Sequence, residues 1–268
     1  MCDAKLITAL SAQPVAGSTL GSGCWSVDVA TPQTLTLEAN AVADVVLTGV
    51  GVEGSVEIVV SPGARLRIVD VVCTEGANTR VNISLHDGAE CCMTQVVTAT
   101  ASSHVIASLD GRGARFELGG TFILTDQERG SVVVDVKHNV SDCSSRTTYK
   151  GVASESAVGK FSGLVYVAPD AQRTDSEQLS RNITLGDARI ETLPQLEIYA
   201  DDVKCSHGAT VGQMDDEAVL YMRQRGLSLA TAKRLQIEGF VSDVVLHAAI
   251  DECRDVLIDV LQHKLEKL

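Results

Sequence analysis

The chain has 268 residues, 45% of them apolar and 3% aromatic, and a formal net charge of −13. Acidity of this size excludes nucleic acid and anionic membrane as main partners, because phosphate binding needs a basic face. No apolar run reaches the ~20 residues of a membrane helix, and the N-terminus MCDAKLITALSAQPVAG is too weak and too acidic for a secretory signal, so the expected compartment is the cytoplasm.

Residues 1–30 are set apart as an N-terminal segment. From Thr34 to Leu124 the pattern is strand, turn, strand. TLTLEA, ADVVLT, SVEIVV, RLRIVDVV, RVNISL, SHVIASL and ARFELGGTFIL are short alternating or fully apolar runs, with Gly, Asp, Asn and Pro between them. Helical periodicity is missing here. Gly63-Ala64-Arg65, Gly88-Ala89-Glu90 and Gly113-Ala114-Arg115 repeat the form Gly-Ala-charged at intervals of 25 residues. A fixed period in the twenties marks a solenoid, in which each coil buries its apolar face on its neighbours. The strands lie too close together for crossover helices. That leaves a β-helix-like solenoid, with a β-sandwich rich in Gly-Ala turns as the alternative.

Residues 139–157 read as irregular. The strand pattern resumes in GKFSGLVYVAPDA, RNITLGDARIETLP and QLEIYADDV, with Asp170-Ala171 and Asp187-Ala188 at turns. Residues 31–212 therefore form a β domain, and residues 213–268 a helical one. Asp215-Asp216-Glu217 complement a helix start, and Gly226 suits its end. Ser228 caps a second helix that closes on Gly239. A third helix is expected from Ser242 to Glu266, with Val245, Ala249, Val256, Val260 and Leu261 near one face.

Few motifs carry chemistry. Gly49-Val50-Gly51-Val52-Glu53-Gly54 matches a dinucleotide fingerprint, but SVEIVV follows it as a strand, where a nucleotide site needs a helix. No phosphate-binding loop, G-x-S-x-G or H-E-x-x-H is present, and no catalytic residue is assigned. Asp201-Asp202 and Asp215-Asp216 are the candidate carboxylate pairs of a carbohydrate-active enzyme, which the scarcity of aromatic platforms disfavours. The cysteines form no C-x-x-C pair and read mostly as buried thiols in a reducing compartment. Cys205 and His207 stand two apart, beside Gly208. In an extended segment they share a face. The pair is a nucleophile with its base, half of a metal site, or a structural pair at the solenoid's end. Metal ligation would need further donors, from His138 or Cys143 or from another chain.

The run PQLEIYADDVKCSHGATVGQMDDEAVLYMRQRGLSLATAKRLQIEGFVSDVV, from Pro194, resembles the SufB/SufD family of iron–sulfur cluster assembly proteins, and the form P-Q-L-E-I-x-A-D-D-V-K-C-S-H-G-A-T is closest to SufD. SufB-like members tend to carry E-H-E-A-T there. His138, Cys143-Ser144-Ser145, Tyr149-Lys150-Gly151, Phe161-Ser162-Gly163 and Ala171-Gln172-Arg173-Thr174-Asp175 match further family segments. The resemblance is dense from about Asp135 to Leu246 and thin over the first 120 residues. It implies a mainly β protein, a right-handed parallel β-helix with a C-terminal α-helical domain. It also implies a non-catalytic scaffold that pairs with a SufB-like subunit, or with itself as a homodimer, and docks a SufC-type ABC ATPase. By the same analogy His207 and Cys205 face the partner and hold iron or a transient Fe-S cluster at a shared interface. The helices with Tyr221, Arg225, Phe240 and Val244 form the ATPase-docking unit.

Overall fold

The computed structural model describes residues 2–15, 17–49 and 53–267. Among these residues the strands form two parallel sheets, one of nine strands and one of eight. Successive strands along the chain alternate between the sheets, so each coil gives one strand to each and lies on the coil before it. This is the β-solenoid expected from the repeat. Arg65 pairs with Glu90 and Glu90 with Arg115, so a period of 25 residues is one coil.

The Gly-Ala units are the turns that keep this register. Ala64, Ala89 and Ala114 are fully buried where each strand begins. Gly63, Gly88 and Gly113 take φ of 69°, 62° and 74°, a conformation that glycine adopts without steric cost. Asn40, Asp142 and Arg173 take similar values of 60°, 67° and 57° in the coils before and after. Later coils are longer: Ser144 and Asp175 lie in register with Arg115, and Asp142 grips Arg173 through two bonds of 2.6 and 2.8 Å. The turn persists there after its Gly-Ala signature has gone.

Ser144–Ala153 is a full strand within the stretch expected to be irregular. Its inward residues Ser145 and Thr147 are buried but polar, so no apolar alternation marks it. The sheets also begin before the expected start at residue 31. Gln13–Pro14, Thr19–Leu20 and Gly23–Asp28 pair with later coils, after helix α1 (Cys2–Leu10).

The helical unit holds α2 (Asp216–Gln224), α3 (Leu229–Leu246) and α4 (Arg254–Leu265). Asp215 Oδ1 accepts the N–H groups of Glu217 and Ala218 at 3.0 and 3.1 Å, and Ser228 Oγ accepts that of Thr231 at 3.1 Å. Ser228 is the cap expected, and Asp215, expected to complement the helix dipole, is itself the N-cap of α2. The second helix, however, does not close on Gly239. Ile237, Val241 and Val245 form one buried stripe across that position, and their burial outweighs the ~1 kcal/mol a mid-helix glycine costs. The break falls later, where the Ala249 N–H donates to Thr94 Oγ1 at 2.8 Å instead of continuing the helix. The last helix therefore starts at Arg254, not Ser242.

Helices α3 and α4 do not extend beyond the last coil. They fold back along the outer face of the nine-stranded sheet, where Val46, Val69, Val71, Val96, Ile123 and Val152 meet α1, α3 and α4. Lys150 fastens this layer: its ammonium donates to Phe240 O and Asp243 Oδ2, both at 2.7 Å, and lies 4.8 Å from the Phe240 ring centre. Lys150→Met keeps the apolar stem and removes both bonds. The expected cost is roughly 1–3 kcal/mol, with faster hydrogen exchange in α3 by mass spectrometry. Unchanged exchange would mean that the apolar stripe alone holds the helix.

Candidate functional site at the open end of the solenoid

Strand Val203–Gly212 ends the nine-stranded sheet and pairs on one side only, with Thr174–Thr184. Arg189–Ile198 ends the other sheet in the same way, against Val158–Val167. Both edges are ten residues long, whereas the edges at the other end, Gln13–Pro14 and Thr19–Leu20, are two residues each. Leu193, Ile198, Tyr199 and Val211 are exposed at this end.

Cys205 and His207 sit on this last strand, in register above Ser176 and Gln178. Their shared face is the one expected from the spacing. Cys205 is half-buried against Val165, Val167, Ala171 and Ala200, while His207 is exposed. Burial pushes the Cys205 thiol up, the Asp175 carboxylate adds to this, and the Ser176 backbone N–H opposes it. Such a thiol stays protonated, which disfavours the nucleophile reading. A metal ion displaces that proton, so ligation stays open.

Below the pair the interior changes character. Earlier coils are filled by residues such as Leu35, Ile58, Ile83, Val105 and Phe116. In Thr174–Thr184 the inward residues Thr174, Ser176, Gln178, Ser180 and Asn182 are all polar and all buried. Ser176 shares a 2.8 Å hydrogen bond with Ser145, whose hydroxyl meets His138 Nε2 at 2.9 Å. Asn182 Nδ2 donates to Ser180 Oγ and to Thr210 O in the last strand, both at 3.0 Å. The sequence hides this row, because in TDSEQLSRNIT the inward residues are polar and the apolar ones, Leu179 and Ile183, lie on the other face.

His138 and Cys143, the further donors considered within the chain, are engaged elsewhere. His138 is bonded to Ser145, and burial lowers its pKa to about 4. The Cys143 thiol donates to Gly111 O at 3.2 Å in the turn column. Among the described residues no group of three or more His, Cys, Asp or Glu is placed to hold a metal ion. Asp215 is a helix cap, and Asp202 O accepts the Arg173 N–H in a turn. In the glycine motif, residues 50–52 lie outside the described residues; Gly49 has φ of 71°, and Glu53–Val60 is a strand, so no helix N-terminus follows.

The candidate docking residues divide. Tyr221 is 57% exposed, and Arg225 stacks on it with Nη2 donating to Tyr221 Oη at 2.9 Å. Phe240 lies beneath Lys150, and Val244 is buried facing the sheet beside Gly119.

Residues 30–240 match the family described as "SUF system FeS cluster assembly, SufBD core domain". The chain belongs to the SufB/SufD family. It lies close to SufD: it is 44% identical over 110 residues to the iron-sulfur cluster assembly protein SufD of Escherichia coli, covering 41% of this chain and 26% of that protein. It is 30% identical over 228 residues to an iron-sulfur cluster assembly SufBD family protein of Mycobacterium tuberculosis, covering 79% of this chain and 57% of that one. The SufD of Bacillus subtilis is 34% identical over 117 residues, 43% of this chain and 27% of that protein. The chain thus spans about a quarter to somewhat over half the length of these relatives. Several SufB/SufD segments have physical reasons here. Tyr149 packs between Phe122 and Phe161, with ring centres 6.0 and 5.2 Å away. A Cβ on Gly163 would lie 2.3 Å from the Gln178 amide nitrogen.

Two buried groups give opposite pH signatures. Asp70 accepts from Gln95 Nε2 at 2.7 Å, and burial raises its pKa from 3.8 to about 6. The native state therefore holds a proton that the unfolded chain has lost, and stability from Asp70 falls as pH rises from about 4 to 6. His138 does the reverse: the unfolded chain is protonated below 6.5 and the native state only below about 4, so stability rises across that window. Each contribution is roughly 3 kcal/mol. In urea unfolding at a series of pH values, Asp70→Asn gains on the wild type as pH rises from 4 to 6. His138→Gln gains on it as pH falls from 6.5 to 4. Differences that do not vary with pH would contradict both assignments.

Proposed function

We propose that this chain is a SufD-like scaffold component of the SUF iron–sulfur cluster assembly machinery, acting in the cytoplasm and performing no group transfer itself. Its open solenoid end pairs with the β-solenoid of a SufB-like subunit, and Cys205 and His207 supply one side of a shared site for iron or a nascent cluster. The observation that carries this reading is the length of the two terminal edges, with both donor residues on one of them. Folded proteins blunt exposed sheet edges by shortening, charging or covering them. Here the far end is shortened to two-residue strands, while the end with the donors keeps ten-residue edges and exposed apolar side chains. That is the form of an edge completed by another sheet. A half-set of ligands on such an edge becomes a site once a second chain closes over it.

The SufC-type ATPase docks on the outer side of the helical unit. Leu220, Tyr221, Leu227, Leu229 and Leu235 are exposed there, with Arg225 stacked on Tyr221. Phe240 and Val244 support that surface from beneath by holding α3 to the sheet.

In the complex assembled with a SufB-like partner and the ATPase, His207→Ala is expected to lower cluster formation about tenfold or more while the complex still forms. Normal cluster yield would remove the site. Tyr221→Asp is expected to lower recovery of the ATPase in co-purification by about tenfold with SufB-like pairing intact. Full recovery would place the docking surface elsewhere.

A further inference from the structure

The polar row under the last strand is expensive to build, because a buried polar group without a partner destabilises by about 1–3 kcal/mol. Most of its members are satisfied by one another or by the backbone. Gln178 and Asn182 each keep one amide oxygen without a partner, and Gln178 is the one in register with His207. The Gln178 side chain is fully buried, and its Nε2 donates to Gly163 O at 3.2 Å. Its Oε1 has no hydrogen-bond partner among the described residues. The room for this amide is made deliberately, since any side chain at Gly163 would collide with it. The residue directly above Gln178 in the ladder is His207. Parallel strands are about 4.8 Å apart, and paired residues project to the same side, so an imidazole at this position is within reach of the carbonyl below.

We propose that Gln178 is the positioning residue of His207. A turn of the exposed ring brings its N–H to the free Oε1, which accepts it and fixes one tautomer. The lone pair of the other ring nitrogen is then presented to the open end of the solenoid. Gln178 touches no iron and no cluster. It acts through His207, as the carboxylates and carbonyls behind metal-ligating histidines do. The ring itself is exposed, so without such an acceptor its two tautomers and its rotamer are free to vary. This inference rests on the reading that His207 is a donor to iron or cluster.

The test has two arms. In the intact isolated chain, nitrogen NMR of His207 reads the tautomer directly. The tautomer ratio in the wild type departs from that of a free histidine side chain, and Gln178→Met, which keeps the volume and removes the acceptor, returns it towards the free ratio. In the assembled complex the same variant lowers cluster formation about tenfold, with the melting temperature of the chain and recovery of the partners unchanged. An unchanged tautomer ratio and cluster yield in Gln178→Met, alongside a defective His207→Ala, overturns the positioning role and leaves the proposed function standing. A normal His207→Ala overturns the proposed function, while the tautomer ratio still decides whether Gln178 holds the ring. If Gln178→Met does not fold, the wild-type spectrum decides: the ratio of a free histidine side chain there overturns the inference without any variant.

Discussion

Parallel pairing of one coil on the next is the constraint on which the rest of the molecule depends. Each coil satisfies its backbone donors and acceptors only through the coil below and the coil above, so a stack of coils always has two ends at which the ladder stops. The stack here resolves them differently. At the start the edges shrink to two residues, one of them Pro14. At the finish they stay at full length, and α3 and α4 turn back along the outer face of the nine-stranded sheet. Lys150, bonded to Phe240 and Asp243, is part of what keeps them there and so leaves the terminal coil uncovered.

The interior obeys the same geometry. Residues in register stack in columns, so a choice made in one coil constrains the next. The columns are apolar through most of the solenoid and turn polar beneath Cys205 and His207, where Ser145, Ser176, Gln178 and Asn182 are buried. A stable core does not require these groups. Their concentration under the strand that bears a thiol and an imidazole ties the cost of burial to the end where a partner is expected. Asp70, bonded to Gln95, which also accepts from Tyr149, is a second polar cluster deeper in the stack. Its buried carboxyl makes the fold sensitive to pH from the inside.

Much of the architecture was legible in the sequence, for identifiable reasons. The repeat at Gly63, Gly88 and Gly113 reports a turn whose φ must be positive, and that turn recurs once per coil. The caps Asp215 and Ser228 bond to the backbone N–H groups that such residues are suited to satisfy. What stayed hidden lay where tertiary packing overrides the local signal. Gly239 reads as a helix end, but the stripe of Ile237, Val241 and Val245 carries the helix past it. Ser144–Ala153 reads as irregular because its inward face starts with two polar residues, Ser145 and Thr147. The early strands at 13–28 are too short to show a period. At the site, the shared face of Cys205 and His207 followed from strand periodicity alone, whereas Gln178 became visible only once the register placed it under His207.

The central claim is that the terminal coil is an edge completed by a second β-solenoid. Hydrogen exchange of the backbone amides in 189–198 and 203–212, followed with the chain alone and in complex with a SufB-like subunit, tests it most directly. The account predicts rapid exchange in the free chain and strong slowing in both strands on pairing, with α2 unaffected until the ATPase is added. Exchange in these two strands that stays fast in a fully formed pair would contradict it.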